Sequence, residues 1–204
     1  SNMLEFFLQE KFGTLNDKQK EALENMKASN KELLDLVQIV LETYRLKEDE
    51  IDLNLEKISV KKFLNIVADE MTYIAQKTNN KIVVNVPEDY DIKIDFLHFK
   101  RVLKNLVNNA ILYGKSNTDI EIMAKITNDN SQITVKDYGK GISPEDIEKI
   151  FNKYFSASKK FRKIGTGLGL YLSRKIVEAH GGKLGVESQE GEYTKFYIDM
   201  KINK

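Results

Sequence analysis

Cysteine is missing from the chain, which excludes disulfides and thiolate metal sites and is compatible with a cytoplasmic protein. Only two histidines occur, His98 and His180, too few and too far apart in sequence for a histidine-rich zinc site. No apolar run approaches the roughly 18 residues that a membrane span needs, and no signal-peptide pattern is present. Basic blocks are lacking as well. With 32 Lys and Arg against 31 Asp and Glu, the formal net charge of +1 gives no electrostatic case for nucleic acid or a membrane surface. Internal repeats and low-complexity segments are not found. What is there, 204 residues that are 41% hydrophobic and 31% charged, describes a soluble globular protein. It has room for one good domain plus a helical appendage, or for two small domains. Ser1-Asn2 ahead of Met3 reads as a tag remnant, so a trimmed piece of a longer protein is expected.

Glycine and proline are absent from Asp17 to about Glu48. There Leu23, Met26, Asn30, Leu33, Val37, Val40 and Tyr44 recur at alternating intervals of three and four, a heptad seam that Leu34 and Leu41 widen. The pattern predicts a long helix. Residues 4–11 read as the last turns of a helix before it, with Gly13 in the connecting loop and Asn16 or Asp17 as the next N-cap. Asn30 is the one polar residue on the seam and is suited to fixing register. A helix packed on its own domain is one reading. A dimerising helical hairpin is favoured, because so long a helix has little of its own chain to pack against. A charged hinge, Asp49 to Asn54, precedes a mixed α and β pattern, so the expected domains are 1–54 and 55–204.

The second region reads as α+β. Ser59 is suited to cap a helix over 61–77, with Phe63, Leu64, Val67, Met71 and Ile74 on its apolar face. Strands are expected at 81–86 and 92–95, and a helix at Phe96–Tyr113. Strands near 119–127 and 132–137 would join through a turn at Asp129-Asn130. Pro144 opens a short helix expected to reach Phe151. A polar, lysine-rich stretch, 152–164, precedes a glycine cluster and a helix over 170–180, which Gly181-Gly182 closes. Strands at 183–188 and 194–201 finish the chain.

Three stretches carry chemistry. The alternating strand ends at Asp137-Tyr138-Gly139-Lys140-Gly141-Ile142, with Ile133 and Val135 on one face and Thr134 and Lys136 on the other. Glycines at alternate positions let backbone pass close to a flat ligand, and the carboxylate can accept a hydrogen bond from an exocyclic amine. Turns are made of the same residues. On the helix 96–113, Asn105 and Asn109 share a face, with Asn108 beside them and Leu103, Leu106, Val107, Ala110 and Ile111 buried. Asparagine is a poor helix interior residue. Its amide oxygen is a hard, neutral ligand suited to Mg²⁺ that also holds phosphates, although polar surface is the plainer reading of this helix alone. Finally, Gly165-x-Gly167-x-Gly169 at a helix start offers N–H groups and the positive dipole end to phosphate. It is no P-loop, since no Gly-Lys-Ser/Thr follows, and Leu170 stands where the dinucleotide fingerprint needs its last glycine. A flexible loop is the alternative.

In order, Asn105-Leu106-Val107-Asn108-Asn109-Ala110, Asp137-Tyr138-Gly139-Lys140-Gly141-Ile142, Phe151 to Phe155 and Gly165-Thr166-Gly167-Leu168-Gly169-Leu170 resemble the catalytic ATP-binding domain of sensor histidine kinases. That family shares its fold with gyrase, Hsp90 and MutL, and the resemblance extends over residues 55–203. Residues 4–50 resemble the end of the first helix, the turn and the second helix of the family's dimerisation and phosphotransfer hairpin. The implied fold is a two-layer α/β sandwich, a mixed sheet covered by helices (the Bergerat or GHKL ATP-binding fold), with ATP and Mg²⁺ as ligands. By resemblance Asn109 is the Mg²⁺ ligand, Asn105 lies near the phosphates, and Tyr113 packs on adenine. Asp137 is the implied acceptor for the adenine amino group, with Gly139 and Gly141 giving the base room. Residues 152–164 would form a mobile lid hinged by Phe151 and the glycines, with Lys159, Lys160 or Arg162 meeting the γ-phosphate. Gly167 and Gly169 would give N–H groups to phosphate, and Ile142, Phe155, Thr166 and Leu168 complete the implied nucleotide-binding set.

The chain also departs from that family. Leu112 stands where a lysine is common and Ser156 where an arginine is common, which shifts expected phosphate contact toward the lid lysines. The phosphoacceptor histidine belongs on the first hairpin helix, of which residues 4–11 hold only the last turns and no histidine. His180 reads as a helix-end residue and His98 as structural or surface. Hydrolysing relatives carry a glutamate base where Asn105 stands, and an amide cannot take that proton. The expected protein is therefore a histidine kinase of a two-component system. It would pass the γ-phosphoryl of Mg-ATP to a hairpin histidine, and then to an aspartate on a response regulator receiver domain. The parent would be a homodimer through the hairpin and cytoplasmic, alone or as part of a membrane-anchored sensor. No nucleic acid and no membrane contact by this fragment are expected. An ATP-hydrolysing GHKL-type ATPase and a nucleotide-binding interaction module without transfer activity are the alternatives.

Overall fold

In the computed structural model, which describes residues 2–45, 51–127, 130–155 and 167–202, two helices open the chain: α1 (Asn2–Leu8) and α2 (Asp17–Arg45). The chain divides into two units, Ser1–Asp49 and Glu50–Lys204. In the first, Asn16 caps α2 through a reciprocal box. Gln19 N donates to Asn16 Oδ1 at 2.9 Å while Asn16 N donates to Gln19 Oε1 at 3.0 Å, satisfying two otherwise orphaned donors. Glu5 of α1 and Lys27 of α2 pair at 3.2 Å, and Phe7 meets Phe12 with ring centroids 4.9 Å apart. Met26, Leu33, Leu34 and Val37 of the heptad seam are exposed. The side chains of Val40, Leu41 and Tyr44 lie outside the described residues, as does Glu48, where the helix was expected to end.

The second unit contains β1 (Glu56–Ser59), α3 (Val60–Gln76), β2 (Lys81–Asn85), β3 (Asp91–Ile94), α4 (Phe96–Tyr113), β4 (Asp119–Thr127), β5 (Asn130–Asp137), α5 (Pro144–Ile147), α6 (Gly169–Ala179), β6 (Lys183–Gln189) and β7 (Tyr193–Lys201). Five strands form a mixed sheet in the order β2-β4-β5-β7-β6, with β2 parallel to β4 and the other neighbours antiparallel. Packed against it are α3, α4 and α6. Cross-strand rows such as Ile122–Val135–Phe196 and Ala124–Ile133–Ile198–Leu184 line the buried face. This is the α+β two-layer sandwich expected. Because side chains alternate along β5, Asp137 follows Ile133 and Val135 onto the buried face and lies opposite Thr194.

Both long helices of this unit start as their sequence directs. Ser59 Oγ accepts from Lys62 N at 3.1 Å at the start of α3, and Asp95 Oδ1 accepts from His98 N at 2.9 Å at the start of α4. β4 and β5 pair antiparallel as the expected hairpin, with Thr127 opposite Asn130, which lies in the strand and not in a turn; residues 128–129 lie outside the described ones. Two expectations need correction. A strand precedes α3 where none was foreseen, since β1 is four residues long and only its pairing with β3 defines it. The helix opened by Pro144 stops at Ile147, short of Phe151. Beyond it Lys149 N bonds Asp146 O and Asn152 N bonds Lys149 O, three-residue turns that draw Ile150 and Phe151 into the core.

Candidate functional site

The site is built where the end of β5 meets the end of α4. Asp137 is 3% exposed, and burial pushes its carboxyl up to about 7, only partly offset by the hydrogen bond that Gly139 N donates to Oδ1 at 3.0 Å. That leaves a buried acceptor with spare lone pairs. Around it the backbone comes so close that side chains are excluded. A Cβ on Gly139 would stand 2.2 Å from Tyr113 O and 2.8 Å from Gly114 Cα. A Cβ on Gly114 would meet Ala110 O at 2.3 Å and Asp137 Cβ at 3.4 Å. Gly141 has φ +66 and a Cβ there would lie 2.2 Å from Gln189 O, so both conformation and space demand glycine. The loop 138–142 is fastened to the β6–β7 turn: Ile142 N donates to Ser188 Oγ at 2.9 Å, and Gly191 N to Lys140 O at 2.7 Å. Burial raises the Tyr113 phenol above its ordinary value, and Lys140 Nζ lies 5.0 Å from the Tyr113 ring centroid.

A second cluster joins α4 to α6. Asn105 Nδ2 donates to Ser173 Oγ at 3.0 Å, and a Cβ on Gly169 would fall 2.5 Å from Asn105 Oδ1. The start of α6 therefore rests on Asn105. Gly167 has φ +68, and its carbonyl accepts from Tyr154 N at 3.0 Å, which brings residues 154–155 against the glycine turn. Leu168 is buried, and Phe151 packs edge-on against Phe196 at 6.5 Å. Asn109 lies one turn beyond Asn105, half-buried, and its side chain has no hydrogen-bond partner among the described residues. Its amide oxygen is a hard, neutral donor of the kind a divalent cation takes. No cluster of three His, Cys, Asp or Glu among the described residues offers a metal site of its own.

Asp137, Gly139, Gly141 and Tyr113 come together at one end of the sheet, and Asn105 and Gly169 at the α4–α6 contact, while Gly167 lies against Tyr154 and Phe155. Lys159, Lys160, Arg162 and Thr166, with most of the stretch 152–164, lie outside the described residues. Sequence reasoning missed Ser173, Gly114, Ser188 and Gly191. The glycine directly after Tyr113 was a visible signal. Ser188 and Ser173 reach their partners over 46 and 68 residues, and no local pattern announces such contacts.

A family model described as "Histidine kinase-, DNA gyrase B-, and HSP90-like ATPase" matches residues 94–204. The sensor histidine kinase YvrG of Bacillus subtilis (strain 168) is 30% identical over 161 residues, 78% of this chain and 28% of the relative. The sensor protein SrrB of Staphylococcus aureus (strain NCTC 8325) is 30% identical over 190 residues, 90% of this chain and 32% of the relative. The chain thus spans about a third of the length of the curated relatives it matches. Among solved structures, the catalytic domain of histidine kinase ThkA is similar at TM-score 0.65 and 28% identity, over 73% of this chain and 96% of that one. Full-length ShkA, in complex with AMPPNP, shares the fold at TM-score 0.82 and 24% identity, over 96% of this chain and 41% of that one.

Proposed function

Since the chain belongs to the histidine kinase-, DNA gyrase B- and HSP90-like ATPase family, as a sensor histidine kinase catalytic domain, we propose that it binds Mg-ATP and donates the γ-phosphoryl group to a histidine. One observation carries the reading: a buried carboxylate, Asp137, with acceptor capacity to spare, beside backbone that leaves no room for side chains at Gly139 and Gly141. That is the environment a flat base with an exocyclic amine requires. Tyr113 packs on the base. Asn109 holds Mg²⁺, which when bound neutralises phosphate charge and fixes the geometry of the phosphates. Gly167 and Gly169 offer N–H groups to phosphate at the start of α6, with Lys159, Lys160 and Arg162 as the cations for the γ-phosphate.

Phosphoryl transfer here needs positioning more than a base. A neutral imidazole nitrogen attacks the γ-phosphorus, the bond to the β–γ bridging oxygen breaks, and ADP leaves. Asn105 cannot accept a proton, so water is not activated there, which favours transfer over hydrolysis. The accepting histidine belongs to a dimerisation hairpin, and an aspartate on a response regulator receives the group next. The exposed seam Met26, Leu33, Leu34 and Val37 supports pairing with a second copy.

The test is to mix the chain with γ-labelled ATP and an intact hairpin that carries its histidine. Label on the hairpin that survives alkali and is lost in acid is the expected result. Free phosphate without labelled hairpin would point to hydrolysis, and bound ATP with neither product to a nucleotide-binding interaction module.

A further inference from the structure

His180, at the end of α6, uses both of its ring nitrogens. Nδ1 lies 2.7 Å from Ile176 O, and Nε2 lies 3.0 Å from the backbone N–H of Asp95. A carbonyl only accepts and an amide N–H only donates, so Nδ1 carries the proton and Nε2 is bare. The ring is a neutral Nδ1–H tautomer. Its edge rests on Phe99, with centroids 5.3 Å apart, and Phe99 is fully buried. Burial pushes the His180 pKa below its ordinary value, and Asp95, the cap of α4, and His98, in its first turn, are the charged or titratable groups that act on it.

Asp95 is held firmly enough to serve as the other half of this contact. Its Oδ1 accepts the His98 N–H at 2.9 Å as the cap of α4. Its Oδ2 accepts the Asn54 N–H at 3.0 Å, from the segment that leads into this unit. The carboxylate is thereby immobilised, and the Asp95 N–H is aimed at His180.

The second tie between these helices lies further along. Asn105 donates to Ser173 and abuts Gly169. The partners run in opposite order along α4 and α6, 95 with 180 and 105 with 173, so the helices are antiparallel and pinned at two points. Residues awaiting phosphate and metal sit on both: Asn105 and Asn109 on α4, Gly167 and Gly169 at the start of α6.

We propose that His180 is a positioning residue for the nucleotide site: by accepting the Asp95 N–H it fixes α6 against α4, and with it the glycine turn against Asn105 and Asn109. This rests on the reading of the site as an ATP site. Where only part of the population holds the competent arrangement, apparent affinity falls by that fraction, so a loosened tie appears as weaker nucleotide binding without loss of any nucleotide contact.

Two substitutions separate the two ring nitrogens. In His180→Gln the side-chain oxygen reaches about as far as Nε2 and can accept the Asp95 N–H. In His180→Asn the amide mimics Nδ1, bonds Ile176 O and falls short of Asp95. Calorimetric titration of the whole chain with Mg-ATP should give near-parent affinity for His180→Gln and affinity weaker by up to about five-fold for His180→Asn, the scale of one hydrogen bond. Thermal unfolding of both in the absence of nucleotide identifies a purely structural role. Equal affinity losses in both variants, or lowered melting points with affinity intact, would overturn the proposal. Should either variant fail to fold, the ¹⁵N shifts of the parent's His180 ring decide. A protonated Nδ1 and bare Nε2 are required, and the opposite tautomer removes the contact on which the proposal stands. A parent that binds no ATP would overturn the ATP reading itself, and this proposal with it.

Discussion

The N–H of Gly139 lies 3.0 Å from Oδ1 of Asp137, two residues earlier, and is, among the described residues, the one hydrogen bond that moderates the cost of burying that carboxylate. Burial of Asp137 opposes folding. The unfolded value is 3.8 and the folded value about 7, so between those pH values the folded chain holds a proton that the unfolded chain has lost. Stability therefore falls as pH rises through that window, by on the order of 4 kcal/mol in full.

Asp137→Asn should accordingly raise the stability of the nucleotide-free chain at pH 8, by about 1–3 kcal/mol, while weakening ATP by about 1.5–3 kcal/mol. Denaturant unfolding at pH 5 and pH 8 checks the first part, with the gap between variant and parent opening as pH rises. Calorimetry checks the second. Stability and affinity moving in opposite directions is the signature of a residue kept for its ligand.

Gly139→Ala places a methyl 2.2 Å from Tyr113 O, a backbone atom with little freedom to yield. Overpacking of this kind costs about 1–3 kcal/mol. Both a lower melting temperature and weaker nucleotide binding are expected, whereas Gly181→Ala meets nothing within 4 Å and bears only the strain of its φ of +74. Melting curves of the two variants make the comparison.

Asn105 and Ser173 share a hydrogen bond of 3.0 Å between α4 and α6. A double-mutant cycle with Asn105→Ala and Ser173→Ala should show coupling of about 0.5–1.5 kcal/mol in unfolding free energy. Strictly additive effects would mean that the contact carries no stability.

Asn109 has no side-chain partner among the described residues, so its removal should cost the fold little. Asn109→Ala is expected to leave the melting temperature within about 2 °C of the parent, because no side-chain hydrogen bond among the described residues is lost, and to abolish the tightening of ATP by Mg²⁺. Titrations with and without Mg²⁺ report on it.

What was legible in the sequence follows from the range of each interaction. Alternation along 132–136 foretold β5 and put Asp137 at its end, because side-chain facing in a strand is a local property. The limits expected for α4, Phe96–Tyr113, hold, and the structure gives the reason: Asp95 caps one end and Gly114 follows the other. The closeness of Gly139 to Tyr113 was legible only as resemblance, since motif order carries no distance. Out of reach were the contacts that bridge the fold: Asp95 with His180 across 85 residues, and Ile142 with Ser188 across 46. His180 was read as a helix end because its neighbours Gly181-Gly182 say so, while nothing nearby in sequence names Asp95. The early stop of α5 escaped notice for a similar reason, since burial of Ile150 and Phe151 decides it, not local propensity.

Discrimination between adenine and guanine tests most directly whether Asp137 accepts a hydrogen bond from a base amine. Mg-ATP and Mg-GTP are titrated into the chain at pH 8, above the Asp137 value of about 7, so that a protonated carboxyl cannot donate to the guanine carbonyl. ATP should bind at least about 100-fold more tightly, because GTP sets a carbonyl oxygen against a buried carboxylate. Equal affinity for the two nucleotides, or no binding of ATP, would contradict the account.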